Sequence, residues 1–307
     1  MDRLSRLYRM DGAVGSNVMS YEEFSPIIDH ACAQIGSGLR ALCLFGSCLQ
    51  PGSPATGGIP DLLAILDDDS LGPLLRRLHY GVLTRFLATG LPPLTLALRD
   101  GNRQRIVAKL NLIEISAATD QLTRLPDLYL AGRMSKKTVI MYARDPACRL
   151  EFEELSLQAA RQIAALAVRE LPVRTPLVDV VRACIALSYR AEVRPEGPTK
   201  MKALYESFAA FYDQRFMPLL VTEATARNIR HDEKEELLLD ERSEHLRSQD
   251  RHQVAGQLRI SRLRTLLRWP KQMIVYDGWI SYALSKRGRA RQLEAGRRKS
   301  SPRRTEE

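Results

Sequence analysis

The residues most able to do chemistry lie in 42–69, LCLFGSCLQPGSPATGGIPDLLAILDDD. An apolar run, Leu42 to Phe45, enters Gly46-Ser47. Backbone amides and a hydroxyl at such a turn can cradle a phosphate. Gly46 permits close approach of the backbone. A second apolar run, Ile59 to Leu66, carries Asp61 near its start and Asp67, Asp68 and Asp69 at its end. Asp61 follows Pro60 in otherwise apolar sequence, where an unpaired carboxylate is costly. A carboxylate there can hold Mg²⁺, which takes hard oxygen ligands and bridges to substrate phosphates. A turn for phosphates beside an acid for metal is the layout of a nucleotidyltransferase.

The second metal ligand is less direct. The usual pattern repeats the carboxylate two residues on, on the same strand face. Here that residue is Leu63. Asp67 shares the face but lies roughly 20 Å from Asp61 in an extended strand, too far to share an ion unless the chain bends. Glu114, an acid inside the apolar run Leu112–Ile115, is therefore the expected second ligand, with Asp67 a further candidate. Asp67 and Asp68 otherwise read as a helix cap or a strand-end turn.

Basic residues complete the set. Lys109 precedes the Glu114 run, and Arg133, Lys136 and Lys137 follow Gly132. Groups of this kind clamp phosphates, and arginine suits bidentate contact. His79, with Tyr80 behind Arg76-Arg77, is a candidate substrate contact. Its plain alternative is a polar helix face packed on a sheet.

These residues need strands and helices to hold them. A helix is expected over 21–36, strands over 41–46 and 59–66, and a helix over 71–88 closed by Gly90 and Pro92-Pro93. Leu94–Leu98 and Ile106–Ile115 read as strands around the turn Asp100-Gly101-Asn102. Gly132 reads as the end of the element carrying Tyr129. Beyond residue 150 the chain reads as helical: Glu151–Glu170, 176–190 and 199–224, with Arg190–Pro198 a charged loop. Phe208, Phe211, Tyr212 and Phe216 read as core. Residues 227–252 carry dense mixed charge and read as a solvated helix face.

The 307 residues carry a formal charge of +10, with 45% apolar and 27% charged residues. That is an ordinary globular composition with a surface suited to anionic partners. The cysteines, Cys32, Cys43, Cys48, Cys148 and Cys184, form no CxxC pair and imply a reducing compartment. No apolar run is long enough to span a bilayer, and the N-terminus lacks a secretory h-region. Residues 258–271, LRISRLRTLLRWPK, alternate basic and apolar residues at near-helical spacing. From Lys286 onward there are nine basic and three acidic residues. With Trp269 and Trp279, these features suit an anionic bilayer surface. The plain alternative is a basic amphipathic helix packed on its own protein.

Four blocks resemble the mitochondrial translocator assembly and maintenance protein 41 family, peripheral membrane phosphatidate cytidylyltransferases. They are FGSCLQ with IPDLLAILDD (Phe45–Gln50, Ile59–Asp68), LHYG (Leu78–Gly81), DLYLAGRMSKK (Asp127–Lys137) and LSYRAEVR (Leu187–Arg194). The third is the most specific, resembling a Leu-Tyr-x-Ala-Gly-Arg-Leu-x-Lys segment. The resemblance spans roughly residues 25–290. The chain departs from the family at Ala191-Glu192, where the family has Gly-Asp, and at Lys109-Leu110-Asn111-Leu112, where it has Lys-Tyr-Gly-Val.

The resemblance implies an α+β protein, with a nucleotidyltransferase-fold domain on a mixed sheet followed by a mainly helical domain. The expected bounds are 1–148, 149–285 and a basic tail over 286–307. It implies transfer of CMP from CTP to phosphatidic acid with Mg²⁺, on an anionic membrane surface and without a stable nucleic-acid partner. Asp61, Arg133 and Lys137 are the expected catalytic residues. Gly46, Ser47, His79 and Lys109 are the expected nucleotide-binding residues, and Asp61, Glu114 and Asp67 the metal ligands. The arginine-rich composition without a presequence points to a bacterial member at the inner face of the cytoplasmic membrane. Two competitors fit the same core: a nucleotidyltransferase acting on RNA or another phosphorylated acceptor, and a non-catalytic module binding anionic lipid or nucleic acid.

Overall fold

The computed structural model describes residues 21–46, 49, 59–78, 93–99, 106–124, 127–192 and 197–275. The architecture is α+β, with a five-stranded mixed sheet and a large helical region. The strands are β1 (Leu39–Phe45), β2 (Asp61–Leu66), β3 (Leu94–Arg99), β4 (Ile106–Glu114) and β5 (Thr138–Ala143), in the order β3-β4-β2-β1-β5. Only β2 and β4 pair in parallel. A parallel pair needs a crossover rather than a hairpin, and residues 67–105 supply it.

Both faces of the sheet are covered, which is why β1 and β2 read as almost unbroken apolar runs. Helices α1 (Tyr21–Ile35) and α2 (Leu71–Arg77) cover one face, meeting Leu42, Leu44, Leu62, Ala64 and Leu66 through Phe24, Ile28, Leu74 and Leu75. The other face, with Cys43, Phe45, Leu63, Ile65 and Ile113, joins the core of the helical region. There lie α3 (Ile115–Thr123), α4 (Tyr129–Met134), α5 (Pro146–Arg169), α6 (Leu177–Ala191), α7 (Pro198–Ser207) and α8 (Ala209–Thr225). This core runs without interruption from β1 to α9 (Glu244–Val275), where Val254 and Leu258 are its last members. Helix α5 starts where its sequence says it should: Asp145 caps the N–H of Cys148 at 2.8 Å, and Pro146 opens the first turn.

Three expectations change. Residues 227–252 are not one helix. Strands β7 (Arg230–Asp232) and β8 (Leu237–Leu239) form a hairpin that pairs with β6 (Arg174–Pro176), and helix begins only at Glu244. Asn228 and Glu236 take positive φ, 57° and 50°, which breaks helical continuation on both sides. The helix over 199–224 is two helices, broken at Phe208, whose φ of −139° and ψ of 30° lie outside the helical range. Gly132 lies inside α4 rather than ending it. A Cβ there would stand under 3.0 Å from the Ser188 carbonyl oxygen, so the residue serves close packing of α4 on α6. Cys43, Cys148 and Cys184 are free and buried, and Cys32 is free and partly buried. Among the described residues, no helix is long and apolar enough to cross a membrane.

Candidate active site

Sheet register gathers the candidate residues into one row. Lys109 of β4 faces Asp61 of β2, which faces Phe45 of β1, which faces Thr138 of β5. The row crosses the sheet at the end where β1 leaves and β2 begins. Asp61, Phe45 and Lys109 share strand parity with Leu63, Cys43 and Ile113, so they face the helical region. Gly46 follows with φ of +91°, a conformation that glycine adopts without strain. A Cβ at Gly46 would be 3.5 Å from Oδ2 of Asp61, so turn and carboxylate are immediate neighbours. Lys109 Nζ lies 3.7 Å from Oδ1 of Asp61, both side chains largely covered.

The third sequence block adds cations to this row. The Arg133 guanidinium lies 4.9 Å from the centre of the Phe45 ring and 4.5 Å from that of Tyr129. Its Nε is 3.4 Å from Oε2 of Glu192, and Lys136 also pairs with Glu192. Burial works against the Arg133 charge, yet Tyr129, Glu192 and Asp61 together hold its pKa above the ordinary arginine value. Arg133 is only 5% exposed, so it acts on the row through its field and by packing against Phe45, rather than as an open phosphate clamp. Lys136 Nζ stands 3.9 Å over the Tyr189 ring. Lys137 enters β5 directly before Thr138, with its Nζ 4.6 Å over the Phe211 ring.

Two expected metal ligands stand elsewhere. Glu114 pairs in register with Leu66, not with Asp61, which places it at the opposite end of β2, roughly 17 Å along the strand. There its Oε1 accepts the Leu71 N–H at 2.9 Å, filling a bond left open in the first turn of α2. Asp68 does the same for α3, accepting the Ser116 N–H at 3.0 Å. Asp67 is gripped by Arg144 at 2.6 Å and Arg40 at 2.7 Å. The Arg144 hydrogen bond, with help from Arg40, draws its pKa below the usual carboxylate value. Glu114 and Asp67 therefore do not share an ion with Asp61. Ser47 and His79 lie outside the described residues.

Among the described residues no group of three or more His, Cys, Asp or Glu side chains converges. Asp61 brings one hard oxygen ligand to the row. That fits Mg²⁺ in its usual protein mode, with one or two carboxylates and the rest of the shell from phosphates and water. Among the described residues, Lys109, Arg133, Lys136 and Lys137 thus set four cations against Asp61, the one acid of the row, with Glu192 engaged by two of the four. Such an excess suits a highly charged anion.

Sequence reasoning missed Glu192 and Tyr129, and it read Phe211 as core alone. Glu192 left a trace, because it stands where the resembling family has an acid. Three of the four quoted blocks meet here, through Phe45, Gly46 and Asp61 of the first, Tyr129, Arg133, Lys136 and Lys137 of the third, and Tyr189 and Glu192 of the fourth. No family model and no curated protein matches the chain.

Proposed function

We propose that the chain is a nucleotidyltransferase that joins CTP to the phosphate of phosphatidic acid, giving CDP-diacylglycerol and pyrophosphate. The observation that carries the proposal is the row Lys109–Asp61–Phe45–Thr138 with Gly46 at its rim and Arg133 behind it. The identities of donor and acceptor come from the four sequence blocks, three of which converge on that row.

In this reading an oxygen of the acceptor phosphate attacks the α-phosphorus of CTP. The new O–P bond forms as the bond from the α-phosphorus to the bridging oxygen breaks, and pyrophosphate leaves with those electrons. The acceptor is already an anion near neutral pH, so little general-base work is needed. The work is to hold two charged phosphates in line and offset their repulsion. Mg²⁺, when bound, neutralises phosphate oxygens and activates the α-phosphorus. Asp61 would be its protein ligand. Gly46 lets the triphosphate approach the backbone, Lys109 offsets charge beside Asp61, and Arg133 supplies a fixed positive field from beneath Phe45.

A membrane surface also has support. Ile260, Leu263, Leu266 and Leu267 stand 42–61% exposed on α9, beside exposed Arg259 and Arg262. A solvent-facing helix strip of this composition suits the headgroup region of an anionic bilayer at its inner, cytoplasmic face. The basic tail over 286–307 and Trp279 lie outside the described residues.

The test is transfer from labelled CTP, with Mg²⁺ and phosphatidic acid in mixed micelles, run beside the other three nucleotides and an RNA acceptor. A lipid-linked CMP with matching pyrophosphate is expected. Nucleotide added to RNA instead would make this an RNA-directed enzyme. Turnover of no nucleotide with either acceptor would leave a binding module.

A further inference from the structure

Lys137 and Arg215 form an unusual pair. Both cations lie against one aromatic ring: Lys137 Nζ is 4.6 Å and the Arg215 guanidinium 5.5 Å from the centre of Phe211. Neither makes an ion pair with any described carboxylate, in a protein where most comparable cations do. Arg215 Nη2 donates to Ser156 Oγ at 2.6 Å and to the backbone oxygens of Ser156 and Met134, all neutral acceptors. Its buried Nε has no hydrogen-bond partner among the described residues. Burial draws the pKa of Arg215 down to about 10 and, together with Arg215, lowers that of Lys137. Two like charges half-removed from water with no counter-charge among the described residues are costly, and an anion would relieve both.

Their position says which anion. Lys137 directly precedes Thr138, which lies in the Asp61 row two strands over, roughly 10 Å at the usual strand spacing. A triphosphate at Gly46 and Asp61 would be flanked on that side by the Lys137 ammonium.

We infer that Lys137, backed by Arg215 across the Phe211 ring, is the subsite for the acceptor's phosphomonoester dianion, separate from the donor site at Gly46, Asp61 and Lys109. The inference rests on the nucleotidyltransferase reading for its role, but its chemistry, a phosphomonoester held by two cations, can be measured alone. Lys137 contacts the anion. Arg215 is a positioning residue that adds charge and holds the ring and the α5 backbone in place.

The experiment is calorimetric binding to the full-length protein without CTP. The probes are short-chain phosphatidic acid, glycerol 3-phosphate and inorganic phosphate. The variants are Lys137→Gln, Arg215→Gln and Arg215→Lys, each with its melting temperature. Glutamine at either position should weaken glycerol 3-phosphate by about tenfold. Arg215→Lys should restore binding to within about threefold while still melting early, because it returns the charge but not the three oxygen contacts. A purely structural arginine would give equal binding losses in Arg215→Lys and Arg215→Gln, and that would overturn the inference. So would a folded Lys137→Gln with unchanged affinity, or a wild type that binds no probe. Tighter binding of phosphatidic acid than of the other two would assign the subsite to a lipid headgroup. Equal binding of all three would assign it to phosphate in general. Charge-dependent binding without turnover would defeat the proposed reaction and keep the subsite. Turnover with binding indifferent to both residues would do the reverse.

Discussion

The two ends of β2 carry acids of the same kind in opposite circumstances. At the far end, Asp67, Asp68 and Glu114 are each satisfied: two arginines hold Asp67, and the other two accept backbone N–H groups at the starts of α3 and α2. At the near end, Asp61 is one acid among cations, beside a glycine turn and a buried guanidinium. An aspartate is a candidate ligand by its type, but its neighbours decide its work. Where caps and arginines use up the oxygens, an acid is structural. Where cations are in excess, the local charge is suited to an anion.

The sharpest way to break this contrast is to remove one acid from each end. Asp61→Asn should lower the proposed CMP transfer by at least about 100-fold, since it removes the one carboxylate among the described residues of the row. Its unfolding midpoint in urea should stay close to that of the wild type. An active Asp61→Asn would erase the distinction between the two ends.

Gly132→Ala probes the helix that brings Arg133 to the near end. The added methyl meets the Ser188 carbonyl oxygen, and Ala191 and Glu192 stand just behind. The expected cost is about 1–3 kcal/mol in urea unfolding, as for other overpacked sites, with transfer activity falling as α4 moves Arg133. An unchanged midpoint would mean that α4 and α6 can part without loss.

Glu114→Ala should do the opposite of Asp61→Asn. Loss of the acceptor for the Leu71 N–H should cost about 1 kcal/mol of stability, while the transfer rate stays within about twofold. A large loss of rate at full stability would return Glu114 to the metal site.

Acid sharpens the same comparison. The folded-state pKa of Asp67 lies below its ordinary value of 3.8, first because of the Arg144 hydrogen bond. Its contribution is therefore fully present above the unfolded value and is lost as pH falls through the lower folded value. These side chains are 19–35% exposed, so screening limits the contribution to about 1 kcal/mol or less. Urea unfolding at ~pH 5 and ~pH 3 should show a smaller drop for Asp67→Asn than for the wild type. Equal drops would mean that the two arginines do not hold Asp67 in solution.

Much of the fold was legible because its signals are local. Buried strands read as apolar runs, and Asp145-Pro146 marks the start of α5. The closeness of Gly46 to Asp61 was legible for the same reason, because β1 and β2 are consecutive in the chain and pair with each other. Glu114 was misplaced because spacing along the chain carries no register: β2 and β4 pair in parallel with Asp61 opposite Lys109, which carries Glu114 to the wrong end. Strand β5, TVIMYA, went unread although Thr138, Val139 and Ile140 are β-branched, because it is short and follows two lysines. The hairpin at 230–239 was hidden under charge whose pattern also suits a helix. Arg215 was illegible, and Glu192 legible only as a family acid without a role, because Lys137 and Arg133 are 78 and 59 residues away from them.

The uninterrupted core on the α5 side of the sheet has a consequence for synthesis. Gly46 and Glu192 are 146 residues apart, and among the described residues Phe45, Leu63 and Ile65 pack against helices made later. At ordinary translation rates β1 and β2 would wait on the order of ten seconds for α4, α5 and α6 to emerge. During that interval an apolar sheet face is bare, and the candidate site is only half assembled. The nascent chain is then at its most exposed to aggregation and to chaperone capture. The Asp61 row gains Arg133 and Glu192 only after both of its central strands have been made.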